Sequence, residues 1–414
     1  MGKEFSGSIE LYLLDSKPGD VNVLAYTCST CETMPSSFPL KGGSYSAKSV
    51  TCTNGVTATW DANGWGVVTS NMTGPTNCTV DFEEIPTLAI QILNDNTNVS
   101  TRTSFGSAFT ASNNGNTIYK ASGQDGKDTY YFAGNVTNNY VYFANKYWRI
   151  VRINEDNSVR LIYAGSSATD TAGFSSTSQA FNSSYNSSVY VGYKYTSGTQ
   201  HGYNTNSAIK THLDSWYTSN IRSSYDGYIS RTAIYCNDRT VGSGTWSSSG
   251  SSTFYYAPYS RLYKSSPSPT FSCGQLNDRF TTSTTTGNGR LYNASSVESP
   301  IATITADEVA YAGGYYNANN TNYYIYQNAS SGASYWWTLS PVSWSGGSAR
   351  VWYVGGSSFG GRLDSSGFDG FVDSTYGVRP VVSLKSCVQW SEGTGTTASP
   401  YKVRINESCI SAEN

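Results

Sequence analysis

The sequence predicts an α+β fold with few helices and many short, twisted antiparallel strands, and three observations carry that prediction. Runs dense in Tyr, Trp, Val and Ile recur along the chain, the longest being YYFAGNVTNNYVYFANKYWRIVRINEDNSVRLIYAG, and such residues fit pleated, half-buried strands. Asn54-Gly55 and Asn63-Gly64 interrupt two further alternating runs, SVTCTNGVTATW and WGVVTS, as tight hairpins require. Helical periodicity is confined to short stretches.

Taken in order, residues 6–17 carry Ile9, Leu11, Leu13 and Leu14 around a helical turn that Pro18-Gly19 ends. This stub and the hairpins up to residue 84, stapled by Cys52 and Cys78, form a small N-terminal β domain over 1–84. Thr87 caps a helix whose Leu88, Ile92 and Leu93 lie on one side. In the long strand run, Asn154 to Asn157 turns one strand back on the next, and Trp148, Ile150 and Ile153 are expected in the core. A second helix fits Ser207 to Ile221, with Ile209, Leu213, Trp216 and Tyr217 as its apolar stripe. Thr305 and Glu308 form a capping box that opens a third, which Gly313-Gly314 stops. Residues 223–300 are Ser/Thr/Gly-rich and read as a loop-rich insertion in a main domain spanning 85–385. Residues 386–414 read as a terminal lobe closed by Cys387 and Cys409, with Tyr401 to Ile405 as its strand.

Composition excludes some functions. Charged residues make up 13% of the 414, and the net charge is −2, against roughly 25% charged in ordinary soluble domains. That leaves no basic footprint for nucleic acid. The polar surface comes from Ser, Thr, Asn and Tyr, a mixture like that of antibody paratopes. Eight cysteines fall into local couples, Cys28 with Cys31, Cys52 with Cys78, Cys236 with Cys273 and Cys387 with Cys409, which predicts four disulfides and an oxidising compartment. Zinc is weakly supported, because Cys28-Ser-Thr-Cys31 has no second such pair and neither histidine is near it in sequence. Met1-Gly2-Lys3 lacks the apolar core of a signal peptide, so an exported protein would need a targeting segment that is missing here.

The signatures VYFANKYWRIVRI, SAIKTHLDSWY, ITADEVAYAGG, YWWTLSP and YGVRPVVSL, in that order, resemble a family of bacterial and phage surface domains with a C-type-lectin-like fold. Formylglycine-generating enzymes and the variable proteins of diversity-generating retroelements share that fold. The resemblance covers roughly residues 128–384. It implies a rigid scaffold whose variable patch, between the paired ends Ser-Pro and Gly-Val-Arg-Pro, binds a ligand. Carried onto this chain, the ligand-binding positions are Ser343, Trp344, Ser345, Gly347, Arg350, Trp352, Ser357, Phe359, Arg362, Asp364, Phe368, Asp369, Phe371 and Asp373. The same resemblance implies a place on the cell surface or outside the cell, a protein or glycan partner on another cell or surface, and assembly into a pilus-like appendage through the missing N-terminal segment.

Aromatics and Arg set in a field of Ser and Gly are the residue types of binding hot spots. From Ala329 to Leu384 there is no Asn, Lys, Glu, Gln or Met, as expected where retroelement mutagenesis has replaced adenines in Asn codons. Catalytic groups are few. His201 and His212 are the only histidines, and no motif builds a triad on them. No cysteine lies between Cys273 and Cys387, where formylglycine-generating relatives need a reactive pair, so no enzyme and no cofactor are expected. Calcium is conceivable at Asp364, Asp369 and Asp373, but their spacing matches no calcium-binding loop and they read as solvated acids.

Overall fold

The computed structural model describes residues 21–112, 116–291, 298–365 and 370–411, so the helix expected at 6–17 lies outside the described residues. The fold is α+β, mostly strands with a few short helices, and it divides after Pro86 into two units, with Asn406–Ser408 belonging to the first. No described helix is long and apolar enough to cross a membrane.

In the first unit, Thr76–Glu84 lies between Val21–Thr27, to which it is parallel, and Tyr45–Cys52, to which it is antiparallel. Cys52 and Cys78 are direct cross-strand partners in that register and are disulfide-bonded. Asn54 and Gly55 both adopt left-handed φ, +60° and +67°, as the predicted tight turn demands. At Asn63-Gly64 the prediction differs from the structure. Thr57–Asp61 pairs with Gly66–Ser70 around a four-residue loop in which the left-handed residue is Trp65, φ +53°. Trp65 is placed there by packing, since its ring meets Trp60 at 5.1 Å beside the fully buried Phe82.

The second unit contains two larger sheets. The first is centred on Lys146–Ile153, flanked by Val159–Gly165, Tyr140–Phe143 and Asp128–Tyr131, all antiparallel to it. Trp148, Ile150 and Ile153 are buried as expected. The segment after residue 386 is not a separate lobe. Gln389–Glu392 and Tyr401–Arg404 extend this sheet through Tyr140–Phe143, because the otherwise open edge of that strand accepts a parallel neighbour. The second sheet is built on the hairpin Tyr335–Ser345 and Ser348–Gly355. Strand Thr375–Val378 belongs to the second sheet and Val381–Leu384 to the first, so the chain crosses between them at Arg379-Pro380. Arg379 is fully buried there and donates from Nε and Nη2 to the Tyr163 carbonyl (3.2 and 2.9 Å) and from Nη1 to that of Ile325. Burial, with the like charge of Arg149 beside it, pushes its pKa down to about 9 against the opposing pull of Tyr323 and Tyr324.

The three expected helices form, over Leu88–Asp95, Ala208–Tyr217 and Ala306–Ala312, capped by Thr87, Ser207 and Thr305. Both halves of the Thr305–Glu308 capping box are made. Residues 223–291 and 298–300, read as loop, include short strands and the helix Ala257–Leu262. All four predicted cysteine pairs are disulfides, and no described cysteine is free.

Candidate ligand-binding face

The face begins with the hairpin. Gly346 and Gly347 close it with φ of +60° and +77°, a two-residue left-handed turn that a side chain would strain. Tyr335–Ser345 is paired on both edges, by Ser348–Gly355 on one and by Phe254–Tyr256 and Thr375–Val378 on the other. Packing of other segments over the faces of this hairpin forces a correction to the predicted site. Ser343, Trp344 and Trp352 are at most 1% exposed, so they belong to the core and cannot contact a ligand directly. The Trp344 indole donates to the Gly250 carbonyl at 3.2 Å, and the Trp352 ring lies 6.2 Å from that of Tyr259.

The remaining predicted residues fall into two groups. In one, the loop after Gly355 folds back so that the Phe359 ring stacks on Tyr335 at 5.3 Å. The Arg362 guanidinium covers Phe359 at 4.9 Å and pairs with Asp364. Asp364 is itself buried, a second correction, because that ion pair and the strand pairing of Leu363–Asp364 with Tyr353 and Val354 draw it inward. In the other group, Arg350 sits 4.8 Å over Phe371, whose ring lies 5.8 Å from the exposed Tyr185. Tyr353 and Tyr376, 5.4 Å apart, support both groups. Tyr353 packs on Tyr335, and the Tyr376 hydroxyl accepts from the Gly370 amide at 3.2 Å. Ser357 and Asp373 are exposed, and Ser345 and Gly347 are half-buried at the hairpin tip. Phe368 and Asp369 lie outside the described residues.

Sequence reasoning missed part of this surface. Tyr185 comes from a distant loop, and Tyr335 lies in the strand ahead of the variable patch. A row of rings also escaped it: Tyr255, Tyr259 and Tyr263 stack at 4.4 and 4.7 Å, and Tyr316 follows at 4.6 Å. The spacing of four between the first three was the available signal. Burial and the neighbouring Tyr263 and Tyr255 push the Tyr259 hydroxyl up to about 12.

Elsewhere, His201 Nδ1 contacts Asp278 at 3.0 Å, and that carboxylate also accepts from Arg239 Nε at 2.8 Å. His212 Nε2 lies 3.0 Å from the Ser175 hydroxyl, and burial lowers its pKa. Among the described residues no three His, Cys, Asp or Glu side chains are grouped to hold a metal ion. Asp364, one of the three acids considered for calcium, is committed to Arg362. No protein-family model, curated protein or solved structure matches this chain.

Proposed function

We propose that this chain is an exported or cell-surface ligand-binding protein, adhesin-like, whose second unit presents a variable face on a C-type-lectin-like scaffold. Four disulfides support the exported part of that reading, since such bonds persist in oxidising compartments. The observation that carries the binding part is the pair of Arg-capped phenylalanines, Arg362 over Phe359 and Arg350 over Phe371, held up by a doubly paired hairpin. Partly exposed aromatics and Arg on rigid support are what binding hot spots are made of, and the rigid support lowers the ordering cost of binding. The partner is a protein or glycan on another surface, and diversification by a retroelement accounts for the residue types present and absent between Ala329 and Leu384.

Sequencing sibling copies of the gene tests the reading. Substitutions should concentrate at Ser345, Gly347, Ser357, Phe359, Arg362 and Phe371, with Trp344, Trp352, Ser340-Pro341 and Gly377 to Pro380 unchanged, and the locus should hold a near-copy of the segment beside a reverse transcriptase. Differences spread evenly along the chain would leave a structural surface or pilus subunit as the better reading.

A further inference from the structure

A second concavity lies on the first sheet of the same unit, built from elements that the proposed face does not use. It occupies about 210 Å³ between the Ala144-Asn145 turn, Tyr225 and Tyr228, and the strand Tyr401–Arg404. Its apolar wall is aromatic. Phe143 packs against Tyr225 and Tyr228, each at 5.4 Å. Its polar rim has groups to spare. Tyr142, Asn145, Tyr225, Tyr228 and Ser391 line the hollow, and among the described residues no side-chain hydrogen bond engages the polar atoms of their side chains. Lys402 also lines it, but its ammonium is matched by Glu392 at 2.6 Å, so the site selects for no net charge.

These features define a ligand. Drug-sized molecules occupy pockets from ~300 Å³ upward, so this hollow has room for one ring. Hydroxyls and a carboxamide both donate and accept, which matches a ligand that does the same at several positions. The aromatic wall calls for a ligand with an apolar face as well. Ala144 and Asn145, which close the hairpin at the edge of the hollow, hold left-handed φ, +54° and +56°, as a two-residue hairpin turn requires.

We propose that this hollow binds a single neutral pyranose ring, as a free sugar or as one residue of a glycan. A pyranose stacks its C–H face on aromatic rings and turns its hydroxyls to the rim. The proposal does not rest on the function of the hairpin face.

Saturation-transfer NMR on the full chain, with the methyl glycosides of glucose, galactose, mannose and N-acetylglucosamine as probes, tests it. At least one glycoside should receive saturation at its ring protons, and Tyr228→Ala should abolish the transfer while Phe359→Ala leaves it intact. Asn145→Gly keeps the left-handed turn, so the fold survives, yet it should weaken binding about fivefold, the effect of one neutral hydrogen bond. Absence of saturation with all four glycosides overturns the proposal, as does saturation that persists unchanged in both Tyr228→Ala and Asn145→Gly.

Discussion

Among single residues, the tryptophans separate scaffold from surface. Trp148, Trp337 and Trp352 are fully buried, and replacing any of them with Ala should cost about 3–5 kcal/mol. Phe359→Ala removes a partly exposed stacking partner of Tyr335, so its cost should be about 1 kcal/mol. Thermal melts of the four variants check this ordering. Glu308 gives a pH prediction. Burial alone would raise its pKa, but Arg160 Nη1 at 2.7 Å and Arg152 Nε at 3.1 Å outweigh burial and hold the carboxyl at about 2, below its ordinary 4.5. A depressed folded-state pKa contributes stability that is present above pH 4.5 and lost as the pH falls toward 2, a loss of about 3 kcal/mol. Asp214 has the opposite sign. Burial raises it from 3.8 to about 6, against the pull of Lys210, so its contribution is present below pH 3.8 and is lost as the pH rises through 6. Urea titrations from pH 2 to 7 should show the acid-side loss shrink in Glu308→Gln and the loss near pH 6 vanish in Asp214→Asn.

At the level of elements, the Ser-Pro and Gly-Val-Arg-Pro signatures acquire physical meaning. Ser340 Oγ accepts from the Ala306 amide at 3.0 Å, and Thr305 Oγ1 accepts from the Glu308 amide at 3.1 Å. Two hydroxyls, one from a strand of the hairpin, thus satisfy the open end of the helix Ala306–Ala312. Thr305→Ala should cost about 1 kcal/mol, and Ser340→Ala about 1–3 kcal/mol because it leaves a buried amide without its partner. Arg379 acts in the same way between the two sheets, serving the carbonyls of Tyr163 and Ile325. Equilibrium urea unfolding of the variants measures each cost.

For the whole molecule, the disulfides are the main covalent constraint. Non-reducing peptide mapping should recover the pairs 28–31, 52–78, 236–273 and 387–409. The bridges with separations of 22, 26 and 37 residues should each contribute about 3–4 kcal/mol by restricting the unfolded chain. Cys387→Ser with Cys409→Ser should therefore lower the melting temperature far more than the corresponding change at Cys28 and Cys31, whose sequence separation is three.

Local chemistry was enough to read several features from the sequence alone. Helix caps at Thr87 and Thr305, the Asn154 to Asn157 turn, the core role of Trp148 and the four cysteine pairs all depend on residues close together in the chain or on strong burial preference. Which side of the hairpin faces solvent was decided only by the tertiary structure. Alternation along Tyr335 to Gly355 cannot say whether one face or both are covered, and it is chain from about ninety residues earlier that reaches Trp344, whose indole donates to the Gly250 carbonyl. The same holds for the partners of Phe371 and Phe359. Tyr185 and Tyr335 reach them only because the sheet brings distant chain segments together, and no sequence period encodes such a meeting.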